Sequence, residues 1–283
     1  MKKVILDSLV KTKCCDYRDL LPRLKSNSID CIITDPPYAI GFDGKRNPSK
    51  NWDNISLDDY KDMLNFLFKE GYRILKPHGT LWMFFSHLRI KQVLSCAWKS
   101  RLDVNLENWS IYARNKGRSA STKLKSLRED ILHLSKGKYN WYQTEYLREV
   151  VAPYVLNGKP RGWFVDSNTG QRVRWTGLGN VLCFSPPTHN SRFEKPLHST
   201  QKPVLLNVML MMCGTEKGAT ILDPFMGSGS TAVSSIMCGR NFIGCELSQE
   251  MYDKATNWIQ NIDLKEIPNY INHVKGNLFR FSI

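Results

Sequence analysis

The chain has 283 residues, 42% of them hydrophobic, and a formal charge of +14 at pH 7. That length fits one substantial domain with an insertion, or two small domains. The basic excess favours a polyanionic partner, nucleic acid before anionic membrane, and no apolar run approaches the roughly 20 residues of a membrane span.

Met1-Lys2-Lys3-Val4-Ile5-Leu6-Asp7 has an apolar stretch too short for a signal peptide. The eight cysteines form no Cys-x-x-Cys pair and no His/Cys cluster with zinc spacing, so no metal is expected. Cys31, Cys183, Cys213 and Cys245 lie in apolar runs. That suits reduced core thiols in a cytosol-like compartment.

Residues 28–34 read as a short buried strand broken by Asp35-Pro36-Pro37. Ser56 is placed to cap a helix running to about Leu75, with Leu57, Tyr60, Met63, Leu64, Leu67 and Phe68 on one face. Lys76-Pro77-His78-Gly79 predicts a turn. A strand over 80–85, too apolar to be half exposed, then a helix over 88–98 and a strand over 109–113 follow. Residues 114–128 read as a basic, flexible loop carrying Arg114, Lys116, Arg118, Lys123, Lys125 and Arg128 among glycine, serine and threonine. The stretch 139–180 has no clear period and is rich in aromatics and arginines, among them Arg148, Arg161, Arg172 and Arg174. It reads as an inserted recognition region, or as a small subdomain whose aromatics form its own core. Alternation returns with a helix over 204–213, a strand over 220–223, a helix over 231–238 stopped by Gly239, a strand over 241–246 and a helix capped by Ser248. The alternation predicts an α/β fold with a mainly parallel sheet flanked by helices.

Asp223-Pro224-Phe225-Met226-Gly227-Ser228-Gly229-Ser230-Thr231-Ala232 sits between a strand and a helix, the context of a nucleotide-binding turn. Glu246 ends the next strand, where a carboxylate can accept from both ribose hydroxyls. Alone, this pattern fits NAD as well as S-adenosylmethionine. Thr34-Asp35-Pro36-Pro37-Tyr38 adds different chemistry. Two prolines fix the backbone and remove two donors. That leaves the Asp35 carboxylate and the Pro36 carbonyl as acceptors on a rigid turn. An exocyclic amine has two N–H donors and a poorly nucleophilic, delocalised lone pair. Holding both hydrogens favours a pyramidal nitrogen that attacks a methyl group in line. Tyr38 offers a face on which a flipped base can stack.

Taken together, these motifs resemble the β-class amino DNA methyltransferases. In that family a catalytic D/S-P-P-Y motif comes first, a recognition region follows, and an F-x-G-x-G cofactor motif comes last. His198-Ser199-Thr200-Gln201-Lys202-Pro203 looks like the family's H-P-T-Q-K-P segment, with Ser199 in place of proline. The resemblance implies a Rossmann-like, S-adenosylmethionine-dependent methyltransferase fold. Its catalytic and cofactor domain would comprise 1–138 and 181–283, with a target-recognition insertion at 139–180. Asp35, Pro36, Pro37 and Tyr38 would be catalytic. Phe225, Gly227, Gly229 and Thr231 would line the cofactor, Asp223 would lie near its methionine part and Lys202 near the methionine carboxylate. Glu246 would bind the ribose. Asp16 matches the family's G-D near the adenine ring, with Cys15 in place of the glycine. Ser185-Pro186-Pro187-Thr188 resembles the S-P-P-Y variant but lacks the aromatic, and is read as loop. His78, His87, His133, His189 and His273 are isolated and expected at the surface or in the core.

The expected partner is DNA. Basic residues of 114–128 would contact phosphates, and some of Arg148, Arg161, Arg172 and Arg174 would read base edges. Asp35 favours adenine N6 over cytosine N4 as the target. A non-catalytic nucleic-acid binder and an RNA methyltransferase are the competing readings. The resemblance further implies a cytoplasmic enzyme of bacterial or phage origin, a homodimer and a cognate restriction endonuclease, with no membrane partner.

Overall fold

The computed structural model describes residues 2–5, 8–41, 53–99, 104–114, 126–141, 145–149, 163–165, 172–177, 179–189, 194–263 and 265. The first elements are β1 (Lys2–Ile5), β2 (Ser8–Cys14), α1 (Tyr17–Leu20), β3 (Ile29–Thr34), α2 (Leu57–Ile74), β4 (Leu75–Phe85), α3 (Ile90–Lys99), β5 (Val104–Ala113) and β6 (Arg128–Lys136). Then come β7 (Glu145–Glu149), β8 (Trp163–Val165), β9 (Arg172–Gly177), β10 (Val181–Cys183), α4 (Val204–Gly214), β11 (Thr220–Asp223), α5 (Ser230–Met237), β12 (Asn241–Glu246) and α6 (Gln249–Gln260).

Nine strands form one sheet in the order β1-β2-β12-β11-β3-β4-β6-β5-β10. The run β2-β12-β11-β3-β4 is parallel throughout. β1 runs antiparallel to β2, and β6 lies antiparallel between β4 and β5. From β3 the chain winds outward through β4, and from β11 it winds the other way through β12. The β3–β11 boundary is therefore a topological switch point, where the carboxyl ends of the strands open a crevice.

Local sequence accounts for the layers. The Ser56 hydroxyl caps α2 by accepting the Asp59 N–H at 3.0 Å, which satisfies a free donor of the first turn. Tyr60, Met63, Leu64, Leu67 and Phe68 then bury one stripe against Ile32, Leu81, Met83 and Phe85. Leu57, expected on that stripe, is 43% exposed because it opens the first turn outside the packed face. The alternate β3 residues Cys31 and Ile33 are also buried but lie outside that cluster. They point to the other side of the sheet, as the two-residue period of a strand requires. There α4 and α5 pack together, and α4 contacts β3 and β4. Nine residues of α4 are buried, the pattern of a helix enclosed on all sides.

Three expectations are corrected. Lys76-Pro77-His78-Gly79 is not a separate turn but lies inside β4. The register passes from Ile29↔Leu75 to Cys31↔Thr80, so Asp30 alone faces these four residues across a bulge. The Lys76 ammonium closes the bulge on Asp30 at 2.8 Å. Arg128 belongs to no loop: it opens β6 and pairs with the buried Asp130 at 2.7 Å. Cys183 is exposed rather than in the core, because β10 lies at the sheet edge. The stretch 139–180, which showed no clear period, contains β7, β8 and β9, joined as an antiparallel sheet in the order β7-β9-β8.

His133 lies in the core, stacked on Trp82 with ring centroids 3.5 Å apart. Burial pulls its pKa down to about 3, so it is a neutral packing residue. Residues 185–188 are loop, and His273 lies outside the described residues. The chain divides into a larger unit, Met1–Tyr142 with Asn180–Ile262, and a smaller one, Gln143–Gly179 with Asp263–Ile283. Among the described residues no helix is long and apolar enough to cross a membrane.

Candidate active site

Strand β3 ends at Thr34 and delivers Asp35 to the switch-point crevice. The turn after it is held from behind by Asp53, which is 1% exposed. The Asp53 carboxylate accepts the backbone N–H groups of Tyr38 at 2.5 Å, Ala39 at 2.9 Å and Ile40 at 3.2 Å. Pro36 and Pro37 have no N–H to offer. The backbone N–H groups of residues 38–40 are therefore spent on Asp53, and Asp35 and Pro37 line the crevice.

Asp35 sits in a cluster of charges. The Tyr38 hydroxyl donates to its Oδ1, and the Lys202 ammonium donates to its Oδ2. Lys202 also contacts Glu129 Oε2 at 3.0 Å and the Thr200 carbonyl at 3.3 Å. Glu129 Oε1 in turn meets Arg114 at 3.1 Å. Burial pushes the Asp35 carboxyl above the usual carboxylate range, with Lys202 opposing and Glu129 adding to the rise. Burial alone would depress Lys202, but Asp35 and Glu129 outweigh it and hold the ammonium charged. Burial also raises Tyr38 well above its ordinary value, with Asp35 and Glu129 contributing, so it remains a neutral donor.

The glycine bend follows β11, the strand beside β3. Asp223 ends β11 and is 3% exposed. It accepts from the Thr34 hydroxyl at 3.1 Å, the Phe225 N–H at 3.1 Å and the Thr231 hydroxyl at 2.7 Å. The Thr34 bond ties the two motifs together directly. Burial raises Asp223 to about 7 despite these donors. Gly229 begins α5 with φ of +84°, and Gly227 has φ of +51°. Both angles are costly for any residue with a Cβ. A Cβ on Gly229 would also lie 3.2 Å from Ile259 and 3.3 Å from Ala255. Glu246 ends β12 and accepts the Gly227 N–H and the Ser248 N–H, each at 2.9 Å.

A cleft of about 790 Å³ opens at these strand ends. Of the predicted residues, Asp16, Asp35, Pro37, Phe225, Gly227 and Glu246 line it, together with Tyr17, His198 and Thr200. Phe225 packs on Tyr17 with ring centroids 4.7 Å apart. Asp16 caps α1 through the Arg18 N–H at 2.7 Å.

Other predicted residues stand elsewhere. Asp223, Gly229 and Thr231 do not line the cleft; their contacts build the bend behind it. Lys202 was expected at the methionine carboxylate. Its ammonium contacts Asp35 and Glu129, and the neighbouring Gln201 Oε1 accepts the Leu197 N–H at 2.9 Å. Arg114, expected on phosphate, has Glu129 as its partner. Lys116, Arg118, Lys123, Lys125 and Arg161 lie outside the described residues. Arg148 on β7 and Arg174 on β9 are register partners, and Arg172 lies on β9 two residues before Arg174.

Tyr17, Asp53 and Glu129 were not anticipated at the site. Asp53 follows the turn by 13 to 15 residues and belongs to no motif. Glu129 stands beside Arg128, at the end of a basic run that masked the start of a strand.

Known proteins resemble this chain in sequence and in fold. The model of the N6/N4 methylase family, described as DNA methylase, matches residues 29–257. The type II methyltransferase M.HpaI of Haemophilus parainfluenzae is 27% identical over 266 residues, spanning 90% of this chain and 79% of the relative. The type II methyltransferase M1.MboII of Moraxella bovis is 28% identical over 278 residues, spanning 90% of this chain and 97% of the relative. Among solved structures, the cytosine-N4-specific PvuII DNA methyltransferase aligns with a TM-score of 0.64 at 17% identity, over 94% of this chain and 93% of that one. The complex of M1.HpyAVI with S-adenosylmethionine aligns with a TM-score of 0.57 at 20% identity, over 88% of this chain and 98% of that one. The chain belongs to the N6/N4 DNA methylase family. Its α/β sheet is a Rossmann-like methyltransferase fold with the Asp-Pro-Pro-Tyr strand before the glycine-bend strand.

Proposed function

We propose that this protein is a site-specific DNA methyltransferase that moves a methyl group from S-adenosylmethionine to N6 of an adenine flipped out of the duplex. The Thr34–Asp223 hydrogen bond carries the reading, because it couples the acceptor turn to the glycine bend at one cleft.

The cleft fits the cofactor chemically. Its volume, about 790 Å³, is in the range of small-molecule sites. Each Glu246 oxygen accepts one backbone N–H and keeps a lone pair for a ribose hydroxyl. Phe225 and Tyr17 give the cleft an aromatic wall, and Asp16 adds an acceptor near it. Bound S-adenosylmethionine supplies an electrophilic methyl group on a sulfonium. The chain's own residues orient the nucleophile. Asp35 and the Pro36 carbonyl accept the two hydrogens of the target amine, and Tyr38 packs against the base. Asp35, its carboxyl already raised by burial, then takes the surplus proton from the methylated nitrogen.

Adenine is preferred because the motif begins with Asp35 rather than serine. Cytosine N4 is the alternative, and one solved neighbour is specific for it. The charge of +14 and the three-stranded sheet bearing Arg148, Arg172 and Arg174 support DNA as the partner, with that sheet as the target-recognition region. The type II relatives support a modification role beside a cognate restriction endonuclease in a bacterial cytoplasm, and the family resemblance supports a homodimer. Sequencing that detects modified bases in DNA exposed to the enzyme tests the reading. N6-methyladenine in a fixed context is expected. N4-methylcytosine alone would shift the target, and unmodified DNA would overturn the proposal.

A further inference from the structure

Each oxygen of Asp35, the carboxylate that the target amine needs, already holds one donor, and the Lys202 ammonium competes with the amine for it. Lys202 donates to Asp35 Oδ2, and Tyr38 donates to Oδ1. Lys202 is only 5% exposed, so its ammonium cannot turn out to water when a base arrives. A buried ammonium stripped of its counter-charge is heavily penalised. The cluster already contains the way round this cost. Glu129 Oε2 lies 3.0 Å from the same ammonium, and its other oxygen is anchored on Arg114 at 3.1 Å. Lys202 can therefore give up Asp35 without ever losing a carboxylate.

We propose that Glu129 is a positioning residue for methyl transfer: it takes Lys202 off Asp35 as the target amine docks, and returns it when the product leaves. The inference rests on the methyltransferase reading above. It adds a second carboxylate to the site, one that touches neither base nor cofactor. Arg114 holds Glu129 in place at the start of the basic stretch. The charges alternate along the chain of contacts, Arg114, Glu129, Lys202, Asp35, and sum to zero. The base thus enters a site whose charge balance stays fixed while one ammonium shifts between two acceptors.

Glu129→Gln separates this role from simple packing, since the amide keeps the volume and one acceptor but loses the charge. Lys202 then has one full counter-charge, on Asp35, and stays there. Four groups bear on the Asp35 charge: Lys202, Glu129, Tyr38 and, from β11, Asp223. Removing the Glu129 charge makes Asp35 easier to ionise. If turnover needs ionised Asp35, the acid limb of kcat moves to lower pH in the variant. The plateau kcat should fall roughly 10- to 100-fold, the scale of disturbing a buried charge pair that partly re-pairs, with cofactor affinity unchanged. Glu129→Asp should restore part of kcat and return the acid limb toward wild type.

A readout without turnover completes the test. Duplex DNA with 2-aminopurine at the mapped target position is bound to cofactor-free protein. The wild type should raise the fluorescence as the base leaves the stack, and Glu129→Gln should give a smaller rise at equal DNA occupancy. Circular dichroism confirms that the variant is folded, and if it is not, Glu129→Asp carries the comparison. Wild-type kcat, acid limb and fluorescence in a folded Glu129 variant would overturn the proposal. Absence of transfer by the wild type itself would instead remove the reading on which it rests.

Discussion

Thr34 donates its hydroxyl to the Asp223 carboxylate at 3.1 Å, across the boundary between β3 and β11. These residues are 189 positions apart in the chain. Their bond fixes the spacing between the last residue before the Asp-Pro-Pro-Tyr turn and the first of the glycine bend. The same carboxylate holds Thr231 and the Phe225 N–H, so one buried side chain sets the geometry on both sides of the cleft.

That arrangement predicts a pH signature in stability. The Asp223 pKa is raised from an ordinary 3.8 to about 7 by burial. The folded chain thus binds this proton more tightly than the unfolded chain. The resulting stabilisation is complete below about 3.8 and is lost as pH rises through about 7. Asp223→Asn removes the titration. Chemical denaturation across this window should show the wild type declining more steeply than the variant. Parallel curves would contradict the assignment.

The two glycines of the bend should fail in different ways. Gly229→Ala meets Ile259 and Ala255 as well as an unfavourable φ, and should cost about 2–3 kcal/mol of stability. Gly227→Ala has room, with nothing nearer than the Phe225 carbonyl at 3.9 Å, so about 1 kcal/mol of backbone strain is expected. Gly227 lines the cleft, however, and its N–H orients Glu246. Calorimetric titration with S-adenosylmethionine should show the larger affinity loss in Gly227→Ala, and melting the larger stability loss in Gly229→Ala. The reverse order would show that the bend faces the other way.

Asp53→Asn tests the scaffold of the Asp-Pro-Pro-Tyr turn. The substitution weakens charge-assisted bonds to three successive N–H groups, at a cost of about 2–4 kcal/mol. Asp35 then loses its fixed position, and transfer should fall about 100-fold, as expected for a misplaced reacting group. Cofactor affinity should change little, since Asp53 does not line the cleft. Wild-type transfer rates in the variant would show that the turn needs no such support.

Much of this site was legible in the sequence because chemistry and local backbone coincide there. A proline pair after an apolar strand leaves acceptors exposed wherever the fold places it, and glycines between strand and helix make a bend under any packing. The parallel core was legible for a similar reason: β3, β11 and β12 are short, apolar and bounded by clear breaks. β6 was hidden because it buries Asp130, His133 and Ser135 next to Ile131, Leu132 and Leu134, so neither alternation nor a clean apolar run marks it. Asp53 and Glu129 were hidden because their partners lie in other elements. The Asp35 and Glu129 contacts of Lys202 were not legible, because an ammonium suits any carboxylate and only the fold decides which is near.

In the proposed reaction Asp35 presents its carboxylate to the target amine at the edge of a cofactor cleft that other residues build. Methyl transfer to DNA by Asp35→Ala, measured with labelled S-adenosylmethionine on a preparation whose cofactor affinity is determined by calorimetry, tests it most directly. No detectable transfer is expected, with cofactor affinity close to that of the wild type. Transfer at an appreciable rate by a variant that binds the cofactor normally would contradict it.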